Sequence, residues 1–146
     1  MNAEIQNGLN SLLADYQVFY QKLRNYHWNV SGPMFFGLHE KFEELYTRAA
    51  VQVDEVAERL LALGGRPVAT LAGQLELARL REDPGAPGAQ EMVQNVQTDL
   101  VSLTASLREL SGRAADAKDT ATANLLDDFA DEQEKTAWML RAFLAA

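Results

Sequence analysis

A chain of 146 residues with 47% hydrophobic content is one domain by length and large enough to bury a core. Its formal charge of −8 and pI near 4.7 disfavour nucleic acid and anionic membranes and favour the attraction of cations. With no cysteine, a disulfide framework, a thiolate metal site and a thiol nucleophile are all excluded.

Hydrophobic spacing is helical throughout, with no sustained strand alternation. The first stripe is Leu9, Leu13, Tyr16, Tyr20, Leu23, His27 and Val30, broken by Ser31-Gly32-Pro33. A second helix is expected over residues 34–63 on Leu38, Phe42, Leu45, Ala49, Val53, Val56, Leu60 and Leu63. Gly64, Gly65 and Pro67 then give the Gly-before-Pro order found past helix ends. A short helical pattern at residues 68–80 follows, and Asp83-Pro84-Gly85-Ala86-Pro87-Gly88 breaks it. The third long stripe, Val93, Val96, Leu100, Leu103, Leu107 and Leu110, is expected to end near Gly112. The fourth is Leu126, Phe129, Gln133, Ala137, Leu140 and Phe143. Short, long and short connections predict an all-α, ferritin-like four-helix bundle spanning residues 1–146 as a single domain. A short extra helix sits in the long crossover between the second and third long helices.

The two histidines stand in the array His27-x11-His39-x3-Glu43-x10-Asp54-x3-Glu58. Imidazole mixed with carboxylate at helical intervals is a ligand set that a first-row metal such as iron accepts. His39 and Glu58 are equidistant from a point between Arg48 and Ala49, and so are Glu43 and Asp54. Glu43 and Asp54 of one chain lie ~16 Å apart along the helix, too far to share a metal. If the helix crosses a two-fold copy of itself at that point, His39 and Glu43 of one chain meet Asp54 and Glu58 of the other. Thr47 and Ala50, small residues flanking the crossing, let two such helices approach. His27 and His39 are symmetric about Pro33, so an antiparallel hairpin brings them to one level. Taken singly, each histidine also fits a structural core residue, and Glu40 and Glu55 fit a solvated face. Ordinary di-iron bundles carry Glu-x-x-His inside the bundle. Here Arg24 and Phe36 hold the positions three before His27 and His39, which excludes that site.

Three segments resemble the Dps family, the miniferritins or DNA-binding proteins from starved cells. They are Tyr26-His27-Trp28-Asn29-Val30, Gly37-Leu38-His39-Glu40-Lys41-Phe42-Glu43-Glu44-Leu45-Tyr46, and Asp54-Glu55-Val56-Ala57-Glu58-Arg59-Leu60. Gly64, Gly65 and Pro67 follow in register, and Trp138-Met139-Leu140-Arg141-Ala142-Phe143-Leu144 resembles the family's last helix. The resemblance implies a ferroxidase, assembled from dimers into a shell of twelve subunits. Such a shell oxidises Fe(II), preferably with hydrogen peroxide but also with O2, and stores ferric mineral against oxidative stress. It implies two irons per intersubunit site, with His27, His39 and Glu43 from one subunit and Asp54 and Glu58 from its two-fold partner. Glu58 is the expected bridge between irons, and Zn(II) is a competitor. The family usually has Asp where this chain has Glu43, a longer carboxylate that still reaches iron. Trp28 resembles a site-proximal tryptophan that gives up electrons when oxidant outruns iron, although plain interface packing fits it equally well; Trp138 fits packing. Acidic residues near the start of the last helix, here Asp116, Asp119, Asp127 and Asp128, are the candidates for an iron-entry pore. As a plain helix start they would equally favour the helix dipole.

No DNA binding is expected, because residues 1–21 contain no Lys or Arg, the chain ends on Leu144-Ala145-Ala146, and twelve copies carry about −96. No apolar run is long enough to span a membrane. The opening residues lack the basic-then-apolar order of a signal peptide, so a cytoplasmic location is expected. Two other functions fit less well: a nucleoid-condensing protein with little iron chemistry, and a structural helical oligomer whose carboxylates take Zn(II) or nothing.

Overall fold

The computed structural model describes residues 2–145. Five helices follow one another: α1 (Ala3–Asn29), α2 (Phe35–Ala62), α3 (Leu71–Leu77), α4 (Ala89–Asp116) and α5 (Thr120–Leu144). Helices α1 and α2 form one antiparallel hairpin and α4 and α5 another, and α1 joins the two through its contacts with α4. This is the ferritin-like four-helix bundle, with α3 as the short helix of the crossover. Its core is the set of stripes seen in the sequence, with Leu9, Leu23, Phe42, Leu60, Val96, Leu103, Leu107, Leu126 and Phe129 almost without exposure. Among the described residues, no helix is long and apolar enough to cross a membrane.

Helix ends follow local chemistry. Asn2 accepts hydrogen bonds from the backbone N–H groups of Glu4 and Ile5 and so caps α1. At the end of α2, Gly64 adopts φ +84°, a left-handed conformation that costs glycine little. The Gly65 N–H then reaches back to the Leu60 carbonyl at 2.8 Å and the Gly64 N–H to that of Leu61 at 3.0 Å, closing a Schellman motif. Asp119 caps α5 by accepting from the Thr122 N–H. Burial alone would raise the Asp119 carboxyl, but the Thr122 hydrogen bonds and the Arg59 charge outweigh it and hold it below the usual carboxylate range.

Two elements differ from expectation. Helix α3 covers Leu71–Leu77 rather than the whole 68–80 pattern, because Thr70 caps it by accepting from the Gly73 N–H. Helix α4 does not stop near Gly112 but runs to Asp116 and turns at Lys118, where φ is +61°. A glycine inside a helix costs only about 1 kcal/mol, and burial of Leu110, Ser111 and Ala114 on either side of Gly112 carries the helix through it.

The crossover, residues 63–88, is pinned to α1. Asn10 accepts from the Val68 N–H at 2.8 Å and donates to the Arg66 carbonyl at 3.1 Å. Buried Asp15 accepts from the backbone N–H groups of Arg79 and Leu80 and from the Arg79 guanidinium, at 2.6, 3.1 and 2.9 Å. Tyr26 donates to Asp83 at 2.5 Å, which, with the Gly85 N–H, holds that carboxyl below its usual range. Asp15→Ala is expected to destabilise the fold by about 1–3 kcal/mol, because it removes one buried carboxylate that accepts from two half-buried backbone N–H groups and from the Arg79 guanidinium at once. Urea unfolding followed by circular dichroism measures this, and a midpoint unchanged from wild type would refute it.

Candidate metal centre

The middle of the bundle is where ordinary di-iron proteins place their carboxylates. Here it holds a neutral network instead. The Tyr16 hydroxyl donates to Gln133 Oε1, Gln52 Nε2 donates to the same oxygen at 3.4 Å, and Gln133 Nε2 donates to Thr104 Oγ1 at 3.3 Å. Burial drives the Tyr16 phenol well above its ordinary range, so it stays protonated as a donor. These groups satisfy one another and offer no anionic oxygen to a cation.

The histidines sit at the linked end of the α1–α2 hairpin. The tight link at residues 30–34 brings the last turn of α1 beside the first turns of α2, and the two imidazoles stack with centroids 3.8 Å apart and planes 13° from parallel. His27 Nδ1 lies 2.7 Å from the His39 carbonyl, and His39 Nδ1 lies 2.7 Å from the His27 carbonyl. A carbonyl can only accept, so each Nδ1 carries the hydrogen and Nε2 is the nitrogen whose lone pair a metal would take. This is the arrangement in which a second hydrogen bond orients an imidazole for a metal. It also satisfies the His27 carbonyl, which has no intrahelical partner in the last turn of α1. Phe35 stacks on His39 at 4.9 Å, and Tyr46 stands edge-on to His27 at 5.3 Å.

Glu43 lies one turn beyond His39, with its carboxylate 3.7 Å from His27 Nε2. Those three residues come together in one chain. Asp54 and Glu58 do not join them; both are exposed further along α2 and have no ion pair among the described residues. By contrast, Glu55 pairs with Arg48 at 3.4 Å, and Arg48 also holds Glu132 at 2.8 Å. Thr47 and Ala50 are exposed as well. Among the described residues, no three acidic or histidine side chains of one chain converge closely enough to hold a metal ion.

Trp28, beside His27 in sequence, points elsewhere. Its indole is 56% exposed and carries the Arg24 guanidinium 4.8 Å from the ring. The four acidic pore candidates have different surroundings: Asp119 is tied to Arg59 and caps α5, Asp127 pairs with Arg108 at 3.5 Å, and Asp116 and Asp128 are exposed. Phe35, Tyr46 and Tyr20 were not among the residues singled out from the sequence as part of the site. The signal for the tyrosines was present, since Tyr20 and Tyr46 are symmetric about residue 33 as His27 and His39 are, two turns further from the link.

Comparison with known proteins agrees with this architecture. A model of the ferritin-like domain matches residues 6–146. The chain is 51% identical over 136 residues to a DNA protection during starvation protein of Brevibacillus brevis, covering 93% of this chain and 91% of that one. It superposes on the crystal structure of a Dps protein from Bacillus brevis with TM-score 0.95 and 48% identity, covering 99% of this chain and 100% of that one. The Dps protein of Vibrio cholerae, described as a member of a broad superfamily of ferritin-like diiron-carboxylate proteins, superposes with TM-score 0.95 and 40% identity over 98% of this chain and 90% of that one. With the four-helix bundle, the crossover helix and the paired histidines at the hairpin end, the chain belongs to the Dps family of ferritin-like proteins.

Proposed function

We infer that the protein is a ferroxidase and iron store that oxidises Fe(II), preferably with hydrogen peroxide, at sites shared between two-fold related subunits. The observation that carries this is the reciprocal pair of Nδ1–H hydrogen bonds, which turns both Nε2 atoms toward metal binding beside Glu43, while Asp54 and Glu58, further along α2, have no ion pair among the described residues. His27, His39 and Glu43 of one subunit would bind iron together with Asp54 and Glu58 of its partner. The likeness to a diiron-carboxylate protein supports iron as the substrate over Zn(II), which the same donors accept as a competitor.

The chemistry follows from the donors. Peroxide needs two electrons and two protons to become two waters. Two Fe(II) held together supply both electrons, so no hydroxyl radical is released. Carboxylates bind ferrous and ferric iron and stabilise the higher charge, while neutral imidazole holds Fe(II) without adding charge. Removing peroxide and free iron together would protect the cell from oxidative damage.

Exposed apolar side chains are consistent with association of further copies. Phe36, Val51, Leu71, Trp138, Met139 and Phe143 are all exposed on the single chain, and a shell would cover such surface. We take the assembly to be a cytoplasmic dodecamer built from dimers, entered by iron through an acidic pore. The test is anaerobic addition of Fe(II) followed by peroxide, with iron assayed across a size-exclusion profile. Iron should co-elute with a particle near twelve times 16.2 kDa. Oxidation no faster than a protein-free control would refute the function, and iron lost from a dimer would refute storage.

DNA is not expected to be a partner. At −8 per chain the assembly repels phosphate, so the protein should leave plasmid mobility unchanged in moderate salt. A clear mobility shift there would overturn this.

A further inference from the structure

We propose that Tyr46 and Tyr20 are an electron-donor pair for the histidine site, used when peroxide meets a site holding a single Fe(II). This rests on the iron-oxidising function inferred above. The Tyr46 ring meets the His27 imidazole edge-on at 5.3 Å, and Tyr20 meets Tyr46 at 5.8 Å with planes 76° apart. Both tyrosines are half-buried and pack against the core. They form a continuous line of ring contacts from the imidazole into α1. An oxidising equivalent at the iron can pass along such contacts to a phenol without leaving the protein.

Trp28 is the less suitable donor for an electrostatic reason. The first product of indole oxidation is a cation radical, and the Arg24 guanidinium 4.8 Å from that ring opposes a second positive charge there. A phenol loses its proton with its electron and ends neutral. The same guanidinium, 5.0 Å from the Tyr20 ring, therefore does not oppose tyrosine oxidation in that way. Among the described residues, Trp28 also makes no ring contact with either histidine, whereas Tyr46 does.

The step balances with hydrogen peroxide as oxidant. The O–O bond breaks, one electron comes from Fe(II) and one from the phenol, and the two protons come from the phenol O–H and from solvent. The products are two waters, Fe(III) and a neutral phenoxyl radical. With two Fe(II) bound, both electrons come from iron and the tyrosines are not needed.

The experiment loads the assembled protein anaerobically with one Fe(II) per site, adds one equivalent of peroxide, freezes within milliseconds and records the electron paramagnetic resonance spectrum. A phenoxyl spectrum is expected, narrowed when the protein is made with ring-deuterated tyrosine and unchanged with ring-deuterated tryptophan. Tyr46→Phe should lower that signal several-fold and raise the yield of a hydroxyl-radical spin adduct. A spectrum that narrows only with labelled tryptophan and vanishes in Trp28→Phe would overturn the proposal, as would full spin-adduct yield from the wild type with no protein radical. A parallel wild-type sample with two Fe(II) per site separates the two levels. Efficient oxidation there, without the expected radical at one Fe(II), refutes the tyrosine pair alone. No oxidation in either sample refutes the iron chemistry and the radical step with it.

Discussion

Neither an Asp54→Ala/Glu58→Ala chain nor a His27→Ala/His39→Ala chain is expected to oxidise Fe(II) beyond a protein-free control, yet particles co-assembled from equal amounts of both should recover about a quarter of wild-type sites. Half of randomly formed dimers contain one chain of each kind. In such a dimer one site collects both lesions and the other collects none. Each parent lacks either the Asp54–Glu58 carboxylates or both imidazoles in every site, and losing two ligands of either kind should slow oxidation by about two orders of magnitude or more. Asp54 and Glu58 are exposed and have no ion pair among the described residues, so removing them should leave folding untouched. The histidine variant loses two hydrogen bonds between α1 and α2, at about 1 kcal/mol each, which a domain of this size tolerates. The initial rate of Fe(III) formation after peroxide is the readout. If the mixture stays as inactive as its parents while forming the same particle, the site is not divided between chains.

Much of this was legible because helices are local. The four stripes specify which face each long helix buries, and the hairpin arithmetic about residue 33 puts His27 at the level of His39, where the two rings stack. The same arithmetic applied to Tyr20 and Tyr46 would have found the aromatic line. What was not legible depends on contacts between distant residues. Nothing local indicates that Asp15 holds the crossover through Arg79 and Leu80, or that the His27 and His39 rings bond to each other's backbones. Gly112 misled because a glycine inside a helix and one past its end look alike in sequence. Burial of Leu110, Ser111 and Ala114, which distinguishes them, is tertiary. Asp119 likewise belonged to a row of acidic residues until its hydrogen bonds with Thr122 and its pairing with Arg59 showed that it caps a helix.

Glu43→Ala is expected to bind one Fe(II) per site where the wild type binds two, and to make peroxide draw its second electron from the protein instead of from iron. Two Fe(II) would bring four positive charges into the proposed site, where Glu43, Asp54 and Glu58 are the anionic ligands that would offset them. Glu43 is the carboxylate nearest the histidines, 3.7 Å from His27 Nε2, and its side chain is more than half exposed, free to swing toward a second ion. Removing it takes away one oxygen ligand and one of three negative charges. We expect second-iron affinity to fall by at least the roughly 10–100-fold that follows loss of a supporting group around a metal. Glu43→Gln keeps the size and loses the charge, so it should follow Ala if charge dominates. Glu43→Asp should behave as wild type if a carboxylate of either length serves. Anaerobic Fe(II) titration gives the stoichiometry, and rapid-freeze electron paramagnetic resonance after peroxide gives the protein-radical yield. With a single iron only one metal electron is at hand and the protein must supply the other, so the phenoxyl signal should rise in the Ala and Gln variants and stay low in Asp. Two tightly bound irons in Glu43→Ala, or a radical yield no higher than wild type, would remove Glu43 from the ligand set. The second iron would then have to be held by Asp54 and Glu58 alone.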